Sequence, residues 1–220
     1  VRTSLNEEKQ SLLQNTVDEM TAFDEEVGEE GIYALQCAST VIDNRTHKVV
    51  AVVGGRSQET GIYTLNRAYQ SYRQPGSTFK PLAVYTPALE GEYTADSMLP
   101  NIDVTKAKGM GLEAANLSGN RMSLEKAVWK SVNGCAWWLF CRLTPEKALS
   151  YISRMEFAGI VPDDYYPAAS LGGLTYGVTT VEMANAYSTL ANHGYFHRAT
   201  CLLSLKDREG KELYQEAEPE

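Results

Sequence analysis

Arg73-Gln74-Pro75-Gly76-Ser77-Thr78-Phe79-Lys80-Pro81 places a serine and a lysine three residues apart where a helix should begin. Gly76 permits a sharp entry turn because it has no Cβ to clash. Pro81 lacks an N–H and would break a helix interior. In a first turn that donor has no intrahelical partner anyway, so a helix starting near Ser77 accommodates it. Leu82, Ala83, Val84, Tyr85, Ala88 and Leu89 then carry the helix into a core. Positions i and i+3 share one helical face. Ser77 and Lys80 are therefore expected to face one cleft, with Ser77 at the positive end of the helix dipole. A serine hydroxyl is a weak nucleophile until a base takes its proton. A lysine becomes that base when desolvation or neighbouring groups lower its pKa.

The same spacing recurs in Ser123-Leu124-Glu125-Lys126, with a different meaning. Ser123 is placed to cap a helix through Trp129, and Glu125 sits in the first turn that favours acidic residues. The second copy is thus expected to be structural.

Taken with Asn66-Arg67-Ala68, the stretch Arg73–Pro81 resembles the nucleophile region of class A penicillin-binding proteins. Val41-Ile42-Asp43 through Val49–Arg56 looks like the first two strands of their transpeptidase domain. Ser131-Val132-Asn133 is similar to the second active-site motif. Ser170–Thr180 and Met183–Tyr187 look like a further signature. Ser-x-Asn alone is unspecific, since Ser4-Leu5-Asn6 and Ser118-Gly119-Asn120 also fit. Its distance downstream of Ser77 selects Ser131.

The resemblance implies the mixed α+β fold of penicillin-binding proteins and serine β-lactamases. It implies a D,D-transpeptidase that cross-links peptidoglycan stem peptides through a serine acyl-enzyme and is covalently inhibited by β-lactams. By that likeness Ser77 attacks the penultimate D-alanine carbonyl, Lys80 accepts its proton, Ser131 relays a proton to the leaving amine, and Asn133 binds the substrate backbone. The Ser77 N–H would supply one oxyanion-hole donor. No cofactor and no metal are implied. The implied location is the extracytoplasmic face of the bacterial membrane, in the cell wall or periplasmic space. Two alternatives stand beside it. A D,D-carboxypeptidase or β-lactamase would pass the same acyl group to water, and a wall-binding or β-lactam-sensing module would do no chemistry.

One element of the resemblance is missing. The family carries a third motif, Lys-Thr/Ser-Gly, on a strand lining the cleft. No such triplet occurs here, and Glu59-Thr60-Gly61 precedes the nucleophile. The expectation is a chain that stops short of that strand, with part of the central antiparallel sheet absent. Such a chain would have little activity alone, and a bare sheet edge would promote self-association.

Length and composition suit one globular domain. Its 220 residues, 43% hydrophobic, can bury a sizeable core. Residues 1–30 read as a lead-in helix and acidic loop, and 31–220 as the transpeptidase domain. A net charge of −8 argues against nucleic acid or an anionic membrane surface as partner. No stretch approaches the ~20 apolar residues that cross a bilayer, and none reads as a signal peptide. Any membrane attachment would come from a segment outside this chain.

Asn6-Glu7-Glu8 begins a capped helix whose apolar side is Leu12, Leu13, Thr16, Val17 and Met20. Residues 32–42 and 48–53 read as strands of a hairpin turned by Asp43–Thr46. A long loop is expected over 91–120. Helices follow at 123–130, 134–142, 145–157 and 179–193, then a second hairpin turned by Asp207–Gly210. Trp137-Trp138 could suggest a sugar platform, but core packing beside Leu139, Phe140 and Leu143 accounts for it better. His47, His193 and His197 are expected in loops or at the surface, since two ligands do not make a metal site.

Cys37, Cys135, Cys141 and Cys201 are scattered, with no paired spacing. Four free thiols are expected, and thiol titration of the denatured, unreduced protein should count four. A count of two or zero would mean bridges.

Overall fold

The structure, a computed structural model, describes residues 1–20, 26–28, 32–57, 64–107 and 120–216. Most of the acidic stretch Asp24–Gly31, the triplet Glu59-Thr60-Gly61 and residues 108–119 of the long loop lie outside those described. In chain order the first elements are β1 (Arg2–Thr3), α1 (Glu7–Asp18), β2 (Ser39–Asp43), β3 (Lys48–Val53), α2 (Arg67–Gln70) and α3 (Thr86–Leu89). After these come β4 (Met98–Pro100), β5 (Arg121–Ser123), α4 (Leu124–Trp129), α5 (Asn133–Leu143), α6 (Pro145–Arg154), α7 (Thr180–Ala191), β6 (Leu202–Lys206) and β7 (Glu212–Gln215). The chain forms two compact units, Val1–Ser71 with Thr179–Glu220, and Tyr72–Val178.

In the first unit β2 and β3 form the expected antiparallel hairpin, with a register slip between Val41 and Ile42. The strand predicted over 32–42 begins only at Ser39. Upstream, an isolated bridge joins Tyr33 to Val27, with the Ala34 N–H donating to Glu26 O and the Gly28 N–H to Ile32 O, and side chains hold the backbone beyond it. Arg56 is 3% exposed, stacks 4.1 Å over the Tyr33 ring and donates to the Leu35 carbonyl at 3.2 Å. Gln36 accepts from the Arg56 N–H at 3.0 Å and donates to the Tyr33 carbonyl at 2.8 Å.

Asn6 caps α1 as its sequence predicts, accepting from the Lys9 N–H at 2.9 Å. The predicted apolar face does not materialise. Val17 is buried, but Leu12 is 67% exposed. Glutamines face the strand instead. Gln10 donates to the Val52 carbonyl at 2.8 Å and accepts from the Val52 N–H at 2.9 Å. Further along β3, the Asn6 N–H reaches Val50 O, Ser4 Oγ reaches Val49 O, and the Val49 N–H reaches Thr200 O. This edge of β3 is therefore partly covered, by groups of residues 4–10 and by the Thr200 carbonyl.

The second hairpin, β6–β7, gains β1 as a third strand. Asp207 Oδ1 accepts from Glu209 N and Lys211 N, fixing the turn. A reciprocal Thr179–Glu182 capping box starts α7. This helix lies on β2, with Thr180 and Thr40 hydroxyls 3.0 Å apart.

His47 lies in the β2–β3 turn, as a loop role predicts, but it is buried rather than at the surface. It is 1% exposed, at φ 54°, with Nδ1 3.2 Å from Ser188 Oγ and its ring 4.9 Å from that of His197. The α7 hydroxyl gives one ring nitrogen a partner inside the unit.

In the second unit, α5 and α6 pack around the helical segment from Gly76 to Leu89, and β4 pairs with β5. Phe79, Leu82, Val84, Leu139, Phe140, Leu149 and Ile152 are fully buried. Truncating such a leucine to alanine costs about 2–5 kcal/mol. Pro145, Ala148, Leu149 and Ile152 form one buried stripe of α6 at helical spacing. Trp137 is buried in a cluster with Ile102, Ala107 and Cys141, and Trp138 packs against it partly buried, so the pair packs against apolar neighbours as expected, though not the Leu139, Phe140 and Leu143 named from sequence.

Burial holds the His47 imidazole below its usual pKa, and His197 and Lys48 add to this. In the unfolded chain a histidine titrates near ~6.5. The folded chain thus binds fewer protons here, so stability present above that pH is lost as pH falls. The parent melting temperature should drop between about pH 7.5 and pH 5.5. His47→Asn, which tolerates the left-handed backbone, should melt lower at neutral pH but with a flatter pH dependence. Equal slopes would exclude His47 as the group responsible.

Candidate active site

Two prolines shape the segment that carries Ser77 and Lys80. Pro81 has no N–H to bond the Ser77 carbonyl, so the Lys80 N–H takes it and the first turn tightens to a 3-10 turn over Gly76–Phe79. Pro87 cannot donate either. The Thr86 N–H reaches back to Pro81 O, and its hydroxyl bonds the same carbonyl at 2.8 Å. The turn Pro81–Tyr85 widens accordingly to π geometry before α3 resumes the regular helix. The helix expected from Ser77 is present, in three geometries. Ser77 is exposed, while Phe79 and Lys80 turn into the core.

Lys80 is 1% exposed. Its Nζ donates to the Ser131 carbonyl at 2.7 Å, to Ser131 Oγ at 3.1 Å and to Asn133 Oδ1 at 2.6 Å. An ammonium has three donors, and these three acceptors use all of them. None of the acceptors is charged. Burial accordingly pushes the Lys80 pKa down, against a smaller opposing pull from Cys135. The Cys135 thiol is itself pushed up to about 11 by burial. At neutral pH it is uncharged and offers Lys80 no counter-ion.

Ser131 and Asn133 reach Lys80 because α4 ends in a particular way. The Val132 N–H bonds Ala127 O and the Ser131 N–H bonds Val128 O. This is a Schellman ending with Ser131 at the left-handed position, φ 50°. Glycine is the usual occupant there. A serine at that position stores strain, of a kind that persists where a side chain serves another purpose. Two residues on, Asn133 opens α5. Gly134 lets that helix start tight against the loop before it, since a Cβ there would lie 2.2 Å from the Ile102 carbonyl.

The structure thus brings Lys80, Ser131 and Asn133 into direct contact and joins Ser77 to them through the Lys80 N–H. Ser123 does what its cap pattern predicts, accepting from Lys126 N at 3.2 Å. Gly134 and Cys135 carried no recognisable sequence signal. Their importance comes from what lies across the fold.

The family model described as penicillin binding protein transpeptidase domain matches residues 37–219. Penicillin-binding protein 4 of Bacillus subtilis is 36% identical over 184 residues, covering 82% of this chain and 29% of that protein. Penicillin-binding protein 1A of Pseudomonas aeruginosa is 33% identical over 194 residues, covering 86% and 23%. The chain therefore spans less than a third of the length of these curated relatives. Among solved structures, PonA1 from Mycobacterium tuberculosis in complex with penicillin V is similar in fold, with a TM-score of 0.74 over 98% of this chain and 57% of that one, at 20% identity.

Ser131→Gly should relieve the left-handed strain, worth about 1 kcal/mol, while removing one Lys80 acceptor. The expected result is a melting temperature equal to or above the parent's. A fall of several degrees would show that the hydroxyl holds the fold more than the strain opposes it.

Proposed function

The chain belongs to the penicillin-binding protein transpeptidase family, and on that premise we propose that Ser77, Lys80, Ser131 and Asn133 form its acyl-transfer site. The carrying observation is Lys80, a buried lysine whose three partners are all neutral. Such an amine gives up its proton more easily than a free lysine and can then accept one from Ser77 Oγ. Ser77 Oγ forms a bond to the carbonyl carbon of the penultimate D-alanine of a stem peptide. The C–N bond breaks, and the terminal D-alanine leaves as an amine. Ser131, within hydrogen-bond reach of Lys80 Nζ, passes the proton to that amine. A second stem peptide's amine then takes the acyl group from Ser77.

Asn133 fits the same scheme. A protonated Nζ can only donate, so the Asn133 oxygen faces it in that state. The Nδ2 donors are left for a substrate carbonyl. The substrates place this chemistry outside the cytoplasmic membrane, in the cell wall. β-Lactams, whose strained amide presents a carbonyl in the same way, acylate Ser77. Water replaces the amine in the hydrolase alternative, and a product assay with an amine acceptor separates the two.

Penicillin added to the intact protein should label Ser77 alone, read by peptide mapping. Ser77→Ala should abolish the label. Lys80→Arg keeps the charge but cannot give up a proton, so acylation should fall at least about a hundredfold. The acylation rate should rise with pH as Lys80 loses its proton, with an apparent pKa below the ~10.4 of free lysine. Near-parent labelling by Lys80→Arg would overturn the base role, and an adduct on Ser123 would overturn the choice of serine.

A further inference from the structure

The residues just before Ser77 are held by a separate loop, Gly172–Val178. The Arg73 N–H donates to the Val178 carbonyl at 2.9 Å, and the Val178 N–H returns a bond to the Arg73 carbonyl at 2.8 Å. Gln74 adds a side-chain pair. Its Nε2 donates to the Leu174 carbonyl at 2.5 Å, and its Oε1 accepts from the Leu174 N–H at 2.7 Å. Next to it, Gly172 lies against Gly76, at φ 75° and 56°. A Cβ on Gly172 would sit 2.2 Å from the Gly76 carbonyl. The loop is pinned in turn by Asp164, 3% exposed. Asp164 Oδ1 accepts from the Thr175 N–H at 2.6 Å and the Thr175 hydroxyl at 2.8 Å, and Oδ2 accepts from the Val161 N–H at 2.9 Å.

We propose that Gln74 is a positioning residue for Ser77, acting through the loop that Asp164 anchors. Ser77 follows Gly76, a residue with no side chain to anchor it and a left-handed backbone. The nearest hydrogen bonds upstream that tie this segment to another part of the chain are the Arg73 bridge and the Gln74 pair. Only a primary amide of this length both donates to and accepts from one residue's backbone. A carboxylate keeps the bond from the Leu174 N–H but repels the Leu174 carbonyl. Loosening that pair lets Gly76 and Ser77 shift against Lys80, whose own position is fixed by Ser131 and Asn133. Displacement of a nucleophile by an ångström is enough to cost about a hundredfold in rate.

The inference rests on Ser77 being the nucleophile, and penicillin acylation of the intact protein tests both. The acylation rate constant, the pre-acylation binding constant and the labelled end point are measured separately. Gln74→Glu should lower the rate constant about tenfold or more, with the binding constant and the end point near the parent's. The rising limb of the pH profile should stay in place, because the partners of Lys80 are untouched. Thr175→Val, at an exposed position, removes one bond to Asp164 and should lower the rate severalfold at full end point. This second variant carries the test if Gln74→Glu does not fold. A labelled parent with variant rates within about twofold of it, including a reduced end point at unchanged rate, overturns the positioning role alone. A parent that is not labelled at Ser77 overturns both readings.

Discussion

A lysine ammonium buried among neutral acceptors constrains the second unit more than any other contact. Removing such a charge from water is costly unless every donor finds a partner. Lys80 finds three, and each imposes a condition on the backbone. The Ser131 carbonyl must point inward, which the left-handed Schellman position of that residue permits. Asn133 must stand at the start of α5, which requires Gly134 to clear the Ile102 carbonyl. Nζ must reach all three from the segment that also displays Ser77. The tight first turn and wide second turn, forced by Pro81 and Pro87, set the path of that segment.

Among the described residues, side-chain amides stand in for strands at Val52 and at Leu174. Gln10 bonds both backbone groups of Val52, and Gln74 bonds both backbone groups of Leu174. In each case one side chain satisfies a donor and an acceptor that a neighbouring strand would otherwise take. The first closes part of an edge on β3. The second ties a loop to the approach to Ser77. An amide does this without a continuous partner strand, so it suits segments that must turn sharply one or two residues later, as Gln74 does before Gly76.

Much of this was legible in the sequence because it is local. Asn6, Ser123 and Thr179 cap helices where their patterns say. The Ser77–Lys80 spacing was legible from helical periodicity, while Ser131 and Asn133 were singled out through the family resemblance, and the structure places both against Lys80. What could not be read depends on partners far away in sequence. The apolar pattern of α1 suggested a Leu12 face, yet Gln10 faces β3 because the Val52 backbone groups need a partner, and Gln14 reaches Gly55 O just past the strand. The 32–42 run looked like one strand, but its start pairs with residues 26–28 and Arg56 holds Leu35 and Gln36 before β2 begins. His47 looked like a turn residue, and a hydroxyl on α7 draws it into the core. Pro81 was legible as a first-turn proline. The combined effect of Pro81 and Pro87 on three kinds of turn was not.

Two local rules break at the same point in space. Among the described residues, a charged side chain is buried with neutral partners only, and a serine occupies a backbone position that favours glycine. Each departure is unfavourable to folding on its own, and each makes the other useful. The left-handed turn presents a carbonyl and a hydroxyl to Lys80 together, and the absence of a carboxylate keeps the amine ready to lose its proton. A fold selected for stability alone would place glycine at 131 and an apolar side chain at 80. Departures of this kind concentrate where chemistry is done. Their meeting at Lys80 and Ser131 supports the site proposed above on grounds other than motif spacing.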